Sequence, residues 1–137
     1  MPSEAQWEYA ARSSGLAYED FPYPWGTEYP TCSLVNMGGC GGLDNVCKFF
    51  AGNTEDDICD MSGNLYEWTT DKWHDDYTDA PTDGSAWIEG SSGNFVVRGG
   101  GWKASDSSER LRTTGRLGWE AIEGTNDLGF RCVRPAQ

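Results

Sequence analysis

The sequence is short of histidine, of positive charge and of long apolar runs. It has one histidine, His74, only 10 Lys and Arg against 22 Asp and Glu, and no run near the ~18 apolar residues of a membrane span. Each shortage closes a class of function. A formal charge of -12 repels a phosphate backbone instead of releasing its counterions, which argues against nucleic acid as a partner. Without a long apolar segment, no membrane association is expected. Zinc needs close ligand pairs, but the first four cysteines are separated by 8, 7 and 12 positions and one histidine cannot complete a site, so zinc is not expected. Met1-Pro2-Ser3-Glu4 leads straight into a helix signal and not into a secretory apolar stretch, so a mature or excised segment is expected.

What the chain does have is glycine, tryptophan and cysteine. Its 137 residues suit one domain, and 18 Gly with 7 Trp concentrate the apolar material in large rings joined by turn-rich backbone. Five cysteines fall at 32, 40, 47, 59 and 132. Four of them sit in a Gly- and Asp-rich stretch, which favours disulfides and an oxidising compartment, secreted or periplasmic. Pairing Cys32 with Cys40 and Cys47 with Cys59 closes short loops worth about 2–3 kcal/mol each, but four cysteines allow three connectivities. Cys132 is left over and is expected as a buried apolar thiol in a final strand. Charge is uneven: residues 1–97 hold 17 acidic and 3 basic side chains, residues 98–137 hold 5 and 7. The first part suits a cation, the second a polar or anionic ligand.

Local signals divide the chain. Ser3-Glu4-Ala5-Gln6 is a capping box, predicting a helix from Glu4 to Arg12 with Trp7, Ala10 and Ala11 on one face and an end near Gly15. Residues 18–53 are rich in Pro, Gly, Asn, Asp and Cys and predict a long irregular segment that needs staples. Ser62-Gly63-Asn64 is a turn that delivers Leu65, Tyr66 and Trp68 into a strand or short helical turn. Residues 71–93 read as another loop. Phe95-Val96-Val97-Arg98 predicts a strand closed by Gly99-Gly100-Gly101, glycines that permit a bulge or close backbone approach, and residues 128–133 alternate as a last strand.

Four segments in order carry a family likeness: Pro2-Ser3-Glu4-Ala5-Gln6-Trp7-Glu8-Tyr9-Ala10-Ala11-Arg12, then Tyr23-Pro24-Trp25-Gly26, then Asp60-Met61-Ser62-Gly63-Asn64-Leu65-Tyr66-Glu67-Trp68, and Arg98-Gly99-Gly100-Gly101-Trp102 leading to Gly129-Phe130-Arg131. Together they resemble the C-terminal part of a sulfatase-modifying-factor, or formylglycine-generating-enzyme, domain. The resemblance implies an α+β, irregular, loop-rich fold of C-type lectin-like kind with little regular secondary structure. Residues 1–137 would form a single such domain lacking the family's usual N-terminal half.

The family's copper-binding cysteines stand five and ten positions after the first glycine of the Gly-Gly stretch, where this chain has Ala104 and Glu109. Neither replaces a soft thiolate, so no copper and no catalytic residue are expected, and one histidine cannot build the site of the family's iron-dependent branches. The resemblance also implies calcium. Asp60 and Glu67 would give side-chain oxygens, with the carbonyls of Gly63 and Leu65 between them. A second set would be Asn36 with the carbonyl of Met37, Asp44 and the carbonyl of Val46. Calcium takes six to eight hard oxygens, which such turns present. The competing readings are that Asp60 caps a turn while Glu67 pairs with Arg131, and that Asn36 forms an Asx-turn.

Trp102, Lys103, Ser105, Asp106, Ser107, Arg110, Arg112, Trp119 and Glu120 crowd the surface that holds the active site in catalytic relatives, and polar groups with an occasional Trp suit an adaptable binding face. The plain alternative is a solvated loop with Arg112 and Arg116 in structural salt bridges. The leading expectation is a non-catalytic, calcium-stabilised binding or scaffold module with a ligand face in residues 102–120. Its partner would be a protein or a small polar ligand, and a homodimer stays open. The alternatives are an oxidoreductase of the formylglycine-generating type completed by a missing half or partner, and a structural fragment without ligand.

Overall fold

The computed structural model describes residues 1–13, 15, 21–90, 92–105, 109–122 and 124–134. Helix α1 spans Glu4–Ala11. Its start follows from the capping box: Ser3 Oγ accepts the Gln6 N–H at 3.1 Å while Gln6 Oε1 accepts the Ser3 N–H at 3.0 Å. The predicted apolar face is the buried one, Trp7 and Ala11 packing on Met61 with Ala10 and Ile58 at the margin.

Four strands form one sheet: β1 (Tyr66–Lys72), β2 (Asn94–Arg98), β3 (Arg116–Glu120) and β4 (Leu128–Gly129), in the order β3-β2-β1-β4. β2 runs antiparallel to β1 and β3, and β4 runs parallel to β1. β2 lies where the β-branched run predicts it, with Val96 and Val97 fully buried. β3 falls where the sequence reads as polar loop. It pairs with β2 residue by residue, from Asn94 opposite Glu120 to Arg98 opposite Arg116.

The predicted last strand is cut to two residues, because Arg131 turns back onto Glu67 and draws the chain off the sheet edge. Cys132 is therefore exposed, not buried as expected.

The long stretch before β1 carries a single 3₁₀ turn, Phe50–Gly52, among the described residues. It is stapled by the disulfides Cys32–Cys40 and Cys47–Cys59. A second core lies beneath it, built from Tyr23, Leu34, Val35, Met37, Ala104 and Leu111. The two halves of the loop fold meet at Gly63, where φ is +74° and a Cβ would stand 2.4 Å from the Asn36 carbonyl oxygen, so only glycine fits. The architecture is α+β and loop-rich.

Between α1 and the sheet lies a buried ionic network. Arg98, 1% exposed, stands on β2 with Glu8 at one guanidinium nitrogen, Glu4 at 3.4 Å from Nε, the Gly115 carbonyl at 2.6 Å and the Trp7 ring beneath at 5.2 Å. Arg116 on β3 reaches the same Glu4 with Nε at 2.8 Å and a terminal nitrogen at 2.9 Å. Its guanidinium also covers the rings of Trp73 and Tyr77.

Candidate ligand-binding site

The turn after β2 shapes a cavity of 980 Å³ over one end of the sheet. Gly100, at φ +72°, passes so close to Leu111 that a Cβ would lie 2.9 Å from its side chain. That close approach packs the 101–104 turn against the 3₁₀ turn Glu109–Leu111. Leu111 is fully buried, and its carbonyl accepts the Ser62 hydroxyl. Thr113, 1% exposed, donates its N–H to Pro22 at 2.8 Å. Arg110 and Arg112, alternating with these buried positions, are exposed and line the cavity.

Of the predicted ligand residues, the fold brings together Lys103, Ser105, Arg110, Arg112 and Trp119 around this cavity. Trp102 and Glu120 do not line it. Trp102 donates its indole N–H to the Asn126 carbonyl at 3.3 Å and carries the Lys103 ammonium 5.0 Å from its ring. Asp106 and Ser107 lie outside the described residues. Tyr66, Thr114, Leu117 and Asp127 also line the cavity. The rings of Tyr66 and Trp119 are 6.0 Å apart; Tyr66 is 5% exposed, so the half-buried Trp119 supplies most of the aromatic surface on that side. Sequence reasoning missed Tyr66 and Asp127, although Tyr66 stands in one of the four family-like segments.

Ala104 and Glu109, at the positions of the family's copper cysteines, line this same cavity, Ala104 buried and Glu109 exposed. No cysteine lines it among the described residues. The Cys47 and Cys59 sulfurs and the Asp60 carboxylate lie within 4.8 Å of one another, but the two sulfurs are joined as a disulfide and offer no thiolate to a metal.

The two implied calcium sets differ in their fit. Both Glu67 oxygens are engaged by Arg131, at 2.5 and 2.6 Å, and Trp7 adds its indole N–H at 2.8 Å. Asp60 accepts the Cys47 N–H at 2.7 Å. A cation at Glu67 would have to displace the guanidinium. Around Asn36 one donor is unengaged, while the Asp44 carboxylate is paired with Lys48. Asn36 is 2% exposed, and its Oδ1 has no hydrogen-bond partner among the described residues.

The Asn36 amide donates to the Gly42 carbonyl and to Asn64 Oδ1, which also accepts the Asp44 N–H. Asn64, which the sequence reading passed over, thus ties Asn36 to Asp44. The Asp44 carboxylate is held below its usual pKa by the Lys48 ammonium and by the Asn45 N–H. The unpartnered buried amide oxygen of Asn36 is a hard donor of the kind calcium takes, and an ion that also used the Asp44 carboxylate would have to displace the Lys48 ammonium.

The model of the sulfatase-modifying factor enzyme 1-like domain matches residues 1–136. The chain belongs to this family. As a member of the sulfatase-modifying-factor family it is 29% identical over 148 residues to the inactive C-alpha-formylglycine-generating enzyme 2 of Mus musculus, covering 99% of this chain and 43% of that protein. To the formylglycine-generating enzyme of Streptomyces coelicolor it is 32% identical over 152 residues, covering 99% and 46%. Among solved structures it superposes on PvdO of Pseudomonas aeruginosa with a TM-score of 0.80 at 33% identity, covering 95% of this chain and 50% of PvdO. The chain thus spans less than half the length of these curated relatives. Its two disulfides are consistent with an oxidising compartment, and among the described residues no helix is long and apolar enough to cross a membrane.

Proposed function

We propose that this family member is a binding or scaffold module without chemistry of its own, which takes a small polar ligand, free or presented by a protein, in the cavity between the 101–104 turn and β3. One observation carries the reading: the side chains that replace the family's thiolates, Ala104 and Glu109, share a single cavity with Lys103, Arg110, Arg112 and Trp119. A redox centre needs soft sulfur donors at those points, whereas guanidinium forks, hydroxyls and a ring make a recognition surface. The likeness to a mouse protein named as inactive supports the same reading.

Calcium belongs to the proposal as a structural ion. Asn36 Oδ1, the Met37 and Val46 carbonyls and Asp44 would hold it, supplying the partner that the buried oxygen otherwise lacks. The Asp60, Gly63, Leu65 and Glu67 set would take a cation only in exchange for Arg131. Secretion or periplasmic residence belongs to the same reading, supported by the two disulfide staples.

The likeness to a Streptomyces formylglycine-generating enzyme favours a second reading, an oxidoreductase completed by another segment or chain. A copper-dependent oxidation assay on a cysteine-containing peptide separates the two. No turnover is expected, and turnover above the protein-free rate would overturn the binding-module reading.

A further inference from the structure

We infer that the ligand is a planar monoanion of the aromatic carboxylate class, its carboxylate held by Arg110 and Arg112 and its ring against Trp119 beside Tyr66; this rests on the binding-module reading above. The charges lining the cavity decide the class. Arg116 is neutralised by Glu4, which accepts two of its nitrogens at 2.8 and 2.9 Å. Lys103 stands 3.8 Å from Asp127 and bonds the Asn126 side chain. Arg110, Arg112 and Glu109 form no ion pair with any described residue, and the one side-chain partner of Arg110 among them is the neutral Tyr66 hydroxyl at 3.3 Å. Among the described residues, two guanidiniums and one carboxylate leave an excess of one positive charge. A neutral ligand covering them would bury that charge uncompensated, and a phosphate monoester at about -1.5 to -2 overshoots it. A carboxylate balances it and offers two coplanar oxygens to a guanidinium fork.

The presentation is fixed in advance. Arg110 and Arg112 flank the fully buried Leu111, whose carbonyl is bonded by Ser62. The chain after them is pinned by the Gly115 N–H on the Arg112 carbonyl at 2.9 Å and by the Thr113 N–H on Pro22. Little backbone ordering then remains to oppose binding. Leu117 and Ala104 join the two rings as apolar lining, which suits an unsaturated frame better than a sugar acid bristling with hydroxyls.

Ligand-observed NMR titration of the full chain with benzoate, benzamide, benzamidine and phenyl phosphate tests this. Benzoate is expected to bind at least about 10-fold more tightly than benzamide and than phenyl phosphate, with benzamidine weakest. Arg112→Ala should weaken benzoate by about 10- to 100-fold, as loss of a charge-assisted hydrogen bond does. Arg112→Lys, which keeps the charge and loses the fork, should fall between. Both are surface changes, and an unchanged melting temperature shows that the variants fold. Benzamide or phenyl phosphate binding as well as benzoate, or an unaffected Arg112→Ala, overturns the carboxylate assignment while leaving the cavity a binding site. Failure of all four probes overturns the assignment and counts against the binding-module reading as well.

Discussion

Arg131 lies across the carboxylate of Glu67, its Nε 2.5 Å from Oε2 and a terminal nitrogen 2.6 Å from Oε1. The same terminal nitrogen reaches the Cys59 and Asp60 carbonyls at 3.1 and 3.2 Å, so one side chain ties β1, the disulfide loop and the tail together. Arg131→Ala strands a buried carboxylate and should cost about 3–5 kcal/mol in urea unfolding. The stranded Glu67, with the freed carbonyls, becomes open to a hard cation. Millimolar Ca²⁺ should therefore restore part of the loss in Arg131→Ala, and a variant indifferent to calcium would remove the Asp60–Glu67 set from consideration.

The Asn36 site predicts a calcium effect in the unaltered chain. A ligand that binds only the native state adds about 2.7 kcal/mol at 100 times its Kd. The melting temperature should rise with added Ca²⁺, and chelation should reverse the rise. Asn36→Leu removes the orphaned oxygen and Asp44→Asn the charge, and either should abolish the response. A response that persists in both variants would place the ion elsewhere.

Much of this fold is written in local sequence, and the limits of that legibility are physical. The capping box sets α1 without help from distant residues, and Val96-Val97 marks the buried centre of β2. Close spacing favoured the observed disulfide pairs over the two other connectivities without excluding them. β3 was not legible because Arg116-Leu117-Gly118-Trp119-Glu120 contains no β-branched residue; what makes it a strand is its pairing with β2 and the stacking of Arg116 on Trp73. Cys132 was misplaced for a related reason, since alternation through residue 133 says nothing of the pull that Arg131 feels toward Glu67. The polar residues proposed as a ligand face could be read as chemistry, but only tertiary contact separates Arg116, which lines the cavity while paired with Glu4, from Arg112, which lines it with no ion pair among the described residues.

Tyr77 gives an alkaline signature. Its hydroxyl is pushed up to about 12, first by partial desolvation, the residue as a whole being 55% exposed, and then by the Glu4 carboxylate that accepts its hydrogen bond at 3.0 Å. An acid whose pKa is higher in the folded than in the unfolded chain contributes stability that is whole below pH ~10, the ordinary tyrosine value. That contribution is lost as pH rises toward 12. Stability from urea midpoints should thus decline over this window, and Tyr77→Phe should be less stable at pH 8 yet decline less steeply. Parallel curves for the two proteins would mean that Tyr77 does not contribute.

Arg98 is the most demanding residue to replace. It is fully enclosed and serves Glu4, Glu8 and the Gly115 carbonyl at once, joining α1 to β2 and to the turn that precedes β3. Arg98→Ala leaves Glu4 to Arg116 and Glu8 to Arg12 beside a void and should cost about 3–5 kcal/mol, with the void adding to the lost pairing. Arg98→Met fills most of the space and isolates the charge effect. Combining Arg98→Met with Glu8→Gln removes a carboxylate that has lost one of its two guanidiniums, so the double variant should be more stable than the sum of its single losses, a coupling that only contacting residues show. Glu4 keeps its other guanidinium, Arg116, and limits the damage. Additive losses in urea unfolding would mean that the Arg98–Glu8 contact contributes no pairwise energy and that Arg98 acts by packing alone.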